Sequence, residues 1–158
     1  IEDKYGNVLA NFYPESREVI TENTAFLMAN LLQGVVDEGT GRRLRFRYGF
    51  KNQIGGKTGT TQNHSDGWFI GITPDLAGGV WVGAEDRSIH FQNLANGQGA
   101  SMALPIWALF MQKVYADKSL AVPQSDFQKP NGVNHVLDCG DADREGMTDY
   151  DSSDEIFD

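Results

Sequence analysis

Cysteine, histidine and surplus positive charge are all scarce in this chain, and each scarcity excludes something. One cysteine, Cys139, cannot close an internal disulfide, so cysteine usage neither demands nor forbids an oxidising compartment. The three histidines, His64, His90 and His135, stand far apart and have no cysteine companions, so the pattern holds no metal-ligand spacing and is read as metal-free. No apolar run is long enough for a signal or membrane-spanning segment, and the chain begins at Ile1, from which a processed chain or a piece of a longer one is expected. Basic excess is missing too. The net charge of −9 is mostly a tail: residues 138–158 carry nine acids and one base, and the other 137 residues are nearly neutral, at −1. That body lacks the clustered Lys and Arg that a phosphate backbone requires, so nucleic acid is not expected as a partner.

What is present suits one domain of ordinary composition, with 40% hydrophobic and 22% charged residues in 158. IEDKYGNVLANFY, with Gly6 and Asn7 at its centre, reads as a hairpin. In TENTAFLMANLLQGVVDEG, the residues Met28, Leu31, Leu32, Val35 and Val36 recur at helical spacing. Thr21 is placed to cap the start and Gly39 to close the end. Residues 40–50 alternate Arg43, Arg45 and Arg47 with Leu44, Phe46 and Tyr48, which predicts a strand or extended loop whose arginines pair with nearby acids, in preference to an anion-binding ladder. Three strands follow, in IGGKTGTT, DGWFIGIT and GVWVGAED, joined by connections short enough for antiparallel neighbours. GASMALPIWALFMQKVYADK then predicts a second helix, with Leu104, Trp107, Ala108, Phe110, Met111 and Val114 on one face. Pro105 limits its start to the neighbourhood of residues 101–104. Periodicity ends near Ser119, and residues 119–158 read as an extended linker and an acidic, disordered tail.

The chemistry concentrates in IGGKTGTTQNHSDGWFIG, residues 54–71. A phosphate-cradling G-x-x-x-x-G-K-[ST] loop needs a glycine where Lys51 stands and a helix directly after the lysine, because helix amides hold the phosphates. Here Lys57 leads instead into Gly59-Thr60-Thr61 and then the strand-like Trp68-Phe69-Ile70. The nucleotide reading is therefore left as the outsider. Strand alternation places Thr58 and Thr60 on one side, and Gly59, lacking a side chain, leaves the edge open to a ligand backbone. Such an edge can dock a peptide and donate to an oxyanion.

The order Lys57-Thr58-Gly59-Thr60-Thr61, Asp66-Gly67-Trp68-Phe69-Ile70-Gly71, Thr73-Pro74-Asp75 and Gly79-Val80-Trp81-Val82-Gly83 resembles the end of a penicillin-binding protein transpeptidase domain of the class A, bifunctional kind. Gly34 to Gly41 upstream and Ala103 to Trp107 downstream continue the resemblance, which covers residues 1–118. It implies an α+β fold: a partial antiparallel sheet of the K-T-G strand and following hairpin, flanked by helices, as the carboxy-terminal part of the penicillin-binding/β-lactamase-like domain. It implies catalytic roles for Lys57 and Thr60, and substrate binding by Thr58, Gly59, Thr60 and Thr61. Lys57 would reach the serine of a second motif, and the Thr58 and Thr60 hydroxyls would hold the carboxylate of a D-Ala-D-Ala stem peptide or a β-lactam. The Thr60 amide would donate to the oxyanion. Asp66, Trp68, Phe69 and Trp81 would pack behind the catalytic strand, and His64 is read as a solvated loop residue in preference to one bordering the cleft. No cofactor or metal is implied.

The resemblance also implies a nucleophile that the chain does not contain. No serine is followed by lysine three residues later, and S-x-N is absent before K-T-G. In the family both motifs precede the point matching Ile1, so a truncated piece is expected, inactive alone, whose partner is the missing amino-terminal part of the same domain. The implied parent cross-links peptidoglycan at the extracytoplasmic face of the bacterial inner membrane, held there only by an absent amino-terminal anchor, with a glycosyltransferase domain upstream. A DD-carboxypeptidase, a β-lactamase, or an interaction module using the acidic tail are the rival expectations. A truncated sheet should expose an edge and an apolar helix face.

Overall fold

The computed structural model describes residues 1–13 and 17–133; the acidic stretch 138–158, Cys139 and His135 lie outside the described residues. Helix α1 spans Glu22–Asp37, and the Thr21 hydroxyl caps it by accepting the Thr24 amide. A short α2 at Arg43–Phe46 leads to strand β1, Gly55–Thr60. After a 3-10 turn at Gln62–His64 come β2, Asp66–Ile72, and β3, Ala77–Gly83. Single-turn helices α3, Leu94–Gly97, and α4, Gly99–Met102, precede α5, Leu104–Ala116. The sheet is antiparallel in the order β1-β2-β3, with Lys57 opposite Ile70 and Trp68 opposite Trp81. This is the expected α+β arrangement.

Alternation along β2 sends Phe69 to the helical side, where it is fully buried with Val36 of α1, Leu44 of α2, and Leu104, Trp107 and Met111 of α5. Phe69 and Trp107 meet edge to face at 5.3 Å, and the Trp107 indole donates to the Gly78 carbonyl at 3.1 Å. Glycines at 56, 71 and 78 make this approach possible, since a Cβ at Gly71 would collide with the Trp107 ring. Pro105 stands in the first turn of α5, where no amide donor is needed.

Three expectations change. Residues 43–46 form a helix, not a strand: Leu44 is buried but Phe46 is 70% exposed, so the alternation did not mark one buried face. No neighbouring strand satisfies this backbone, whose amides bond locally, as from Arg47 to the Arg43 carbonyl at 3.0 Å. Its arginines divide their work: Arg45 pairs with Asp37 at 2.7 Å as expected, while Arg43 bonds the Ala100 carbonyl and the Ser101 hydroxyl, both at 2.8 Å. Trp68 and Trp81 leave the core. They face each other across β2 and β3 on the side opposite Phe69, about half exposed. The opening hairpin is reduced to one bridge, Glu2 with Val8, around a turn in which the Asp3 carboxylate accepts the amides of Tyr5 and Asn7.

Apolar surface remains open on both long helices, at Met28 and Leu31 of α1 and at Ile106, Leu109 and Phe110 of α5. Residues 119–133 hold no helix or strand. They turn back so that the Phe127 amide donates to the Gln53 side chain at 2.9 Å, and Val133 is buried.

Candidate active site

Strand β1 is an edge of the sheet among the described residues, and its ladder decides which groups face outward. The Thr61 amide donates to the Asp66 carbonyl at 3.1 Å. Bonded and non-bonded pairs alternate in an antiparallel ladder, so Gly59 and Lys57 bond to β2, whereas the amides and carbonyls of Thr58 and Thr60 point to the free side. An outward carbonyl is already engaged: the Lys57 ammonium curls along the edge and donates to Thr58 O at 2.8 Å. Lys57 and Thr60 are exposed, and Thr58 and Gly59 are half-buried. One short edge thus presents a cation, two hydroxyls and free main-chain donors and acceptors.

Each threonine hydroxyl is held from behind. Thr58 Oγ1 lies 2.7 Å from Thr40 Oγ1, and Thr60 Oγ1 accepts the Gly99 amide at 3.0 Å. Thr61 serves the turn: its hydroxyl accepts the Asp66 amide at 3.1 Å and contacts the Ser65 hydroxyl at 3.0 Å. Thr61 therefore faces away from the group formed by Lys57, Thr58 and Thr60. Gly59 lies beneath α4, and a Cβ at Gly99 would come closer than 3.0 Å to the carbonyls of Gly59 and Trp68. Arg43 fastens that helix through Ala100 and Ser101.

Arg43 was weighed only as part of an anion-binding ladder, whereas here it braces α4, and Thr40 and the Gly99 amide had no assigned site role in the sequence. Their only local signals are Gly39-Thr40-Gly41 at a helix end and the glycines at 97 and 99. His64 also differs from a solvated loop residue. It is half-buried with φ 57, its Nδ1 is buried without a partner, and its carbonyl accepts the Phe91 amide at 3.2 Å.

A lysine and paired threonines thus stand together on the open edge of an antiparallel sheet backed by helices. The chain belongs to the family of penicillin-binding protein transpeptidase domains, whose model matches residues 10–101, more than half of its length. Its relatives include class A penicillin-binding proteins. Penicillin-binding protein 1A of Aquifex aeolicus is 35% identical over 130 residues, covering 82% of this chain and 16% of the relative. That of Pseudomonas aeruginosa is 36% identical over 125 residues, covering 77% and 14%. The crystal structure of penicillin-binding protein 1A from Haemophilus influenzae superposes with a TM-score of 0.59 at 30% identity, covering 72% of this chain and 17% of that one. The chain thus spans about a sixth of the length of these relatives.

Proposed function

We propose that this chain supplies the substrate-binding wall and one oxyanion donor of a peptidoglycan DD-transpeptidase, and that the nucleophilic serine comes from protein outside it. The observation that carries the reading is the outward Thr60 amide on an open edge, beside Lys57 and the Thr58 and Thr60 hydroxyls. A stem peptide ending in D-Ala-D-Ala lies antiparallel along β1, exchanging main-chain hydrogen bonds with Thr60. Its terminal carboxylate accepts from the two hydroxyls and lies near the Lys57 ammonium. When the serine oxygen attacks the penultimate carbonyl, negative charge develops on the carbonyl oxygen and the Thr60 N–H donates to it. One such donor contributes about 10²–10³ in rate. Lys57 holds the neighbouring proton-transfer group in register. Departure of D-alanine leaves an acyl-serine, which an amine of a second strand resolves. A β-lactam offers the same carbonyl and carboxylate and stalls at the acyl stage.

No serine of this chain has a lysine three residues on, so the 158 residues alone lack the acylating pair. The parent acts at the extracytoplasmic face of the bacterial inner membrane and joins this transpeptidase to a glycosyltransferase. On this reading residues 1–118 are the carboxy-terminal portion of the transpeptidase domain and residues 119–158 a linker and acidic tail.

Fluorescent penicillin tests the reading. The chain alone gives no labelled band on denaturing electrophoresis. A hybrid in which it replaces the matching segment of Pseudomonas aeruginosa penicillin-binding protein 1A is labelled, and Lys57→Ala suppresses that label. A band from the chain alone, or none from a folded hybrid, refutes it.

A further inference from the structure

The two hydroxyls of the candidate wall are bonded from behind in different ways. Thr60 Oγ1 accepts an amide, that of Gly99, which can only donate; the Thr60 proton is therefore free to point forward. Thr58 Oγ1 meets another hydroxyl, Thr40 Oγ1, at 2.7 Å, and either can be the donor. A carboxylate in front of β1 removes that ambiguity, because it accepts only: Thr58 must turn its proton toward it, and its oxygen then accepts from Thr40. From these contacts we propose that Thr40 is a positioning residue that fixes Thr58 as a hydrogen-bond donor and so selects a carboxylate-bearing substrate. The relay runs from Thr40 O–H to Thr58 Oγ1 and from Thr58 O–H to the carboxylate, each bond polarising the next.

The local fold places Thr40 there deliberately. α1 ends in a tight wrap in which the Gly39 amide bonds Gly34 O at 3.1 Å and the Gly41 amide bonds Val35 O at 2.9 Å. A Cβ at Gly39 would lie 2.9 Å from the Val35 Cα and carbonyl oxygen, and one at Gly41 would lie 3.1 Å from that oxygen. A Cβ at Gly39 would force the wrap apart and one at Gly41 would crowd it, and the residue between them is delivered to β1. Thr40 is exposed, and among the described residues its hydroxyl has no protein partner other than Thr58.

The inference rests on reading β1 as a carboxylate wall, and the test separates the two. In the hybrid described above, acylation is timed with a penicillin bearing its free carboxylate and with its methyl ester. Thr40→Val keeps the shape and removes the hydroxyl. It slows the free acid about fivefold, as expected for one net hydrogen bond, and slows the already poor ester less than about twofold. Thr40→Ser restores the wild-type rate, and Thr40→Ala serves as a second variant without the hydroxyl. Equal slowing of acid and ester, or no slowing of either, overturns the role of Thr40 while leaving the wall intact. A folded wild-type hybrid that is not acylated overturns the wall and the relay together.

Discussion

Replacing Gly99 with alanine should damage the fold and the site by the same contact. The new Cβ would stand closer than 3.0 Å to the carbonyl oxygens of Gly59 and Trp68, both main chain and both in the ladder between β1 and β2. Backbone cannot swing aside as a side-chain tip can, so α4 must retreat by several tenths of an ångström. It is tethered on its far side, because Arg43 grips Ala100 O and the Ser101 hydroxyl. Overpacking of this kind costs about 1–3 kcal/mol. Loss of the bond from the Gly99 amide to Thr60 Oγ1 adds about 1 kcal/mol, for a total near 2–4 kcal/mol. Urea unfolding of the 158-residue chain, followed by tryptophan fluorescence, measures it. With a slope of about 2 kcal/mol/M the midpoint should fall by about 1–2 M. An unchanged midpoint would show that α4 does not press on β1 and would remove the support proposed for Thr60.

Gly34 provides the opposite case: it lies inside α1, and a Cβ there meets nothing within 4 Å. Gly34→Ala should therefore raise stability by about 0.5–1 kcal/mol, read as a higher urea midpoint, and a lower one would contradict it. Tyr115 sets a pH dependence, since burial holds its phenol above the ordinary value of about 10 despite the opposing bond from Asn52. The folded chain then keeps the proton more tightly than the unfolded chain. That stabilisation is complete below the unfolded value and is lost as pH rises through the folded one. The stability gap between wild type and Tyr115→Phe should narrow above pH of about 10, and a widening gap would refute the assignment.

Much of this was legible in the sequence where the determinants are local. Thr21 and the apolar spacing define α1, and Pro105 fixes the start of α5, because caps and proline act within one turn. The K-T-G strand and its hairpin could be read from alternation and short turns. Residues 43–46 could not. Every second residue is arginine, which imitates a strand, and the outcome depends on Arg43 reaching a carbonyl 57 positions away. Trp68 and Trp81 look like core residues, but their burial depends on whether a layer covers that face. The supports of the site were least legible, because Thr40 and Gly99 meet Thr58 and Thr60 across 18 and 39 residues. Only the paired glycines around Thr40 hinted at its placement.

On the proposed reading, this chain carries the wall of an acyl-transfer site and not its nucleophile. Peptide mapping of the penicillin-treated hybrid by mass spectrometry tests that claim most directly. The penicilloyl adduct should sit on a serine in the segment contributed by the relative and on none of these 158 residues. An adduct on any serine between Ile1 and Asp158 would contradict it.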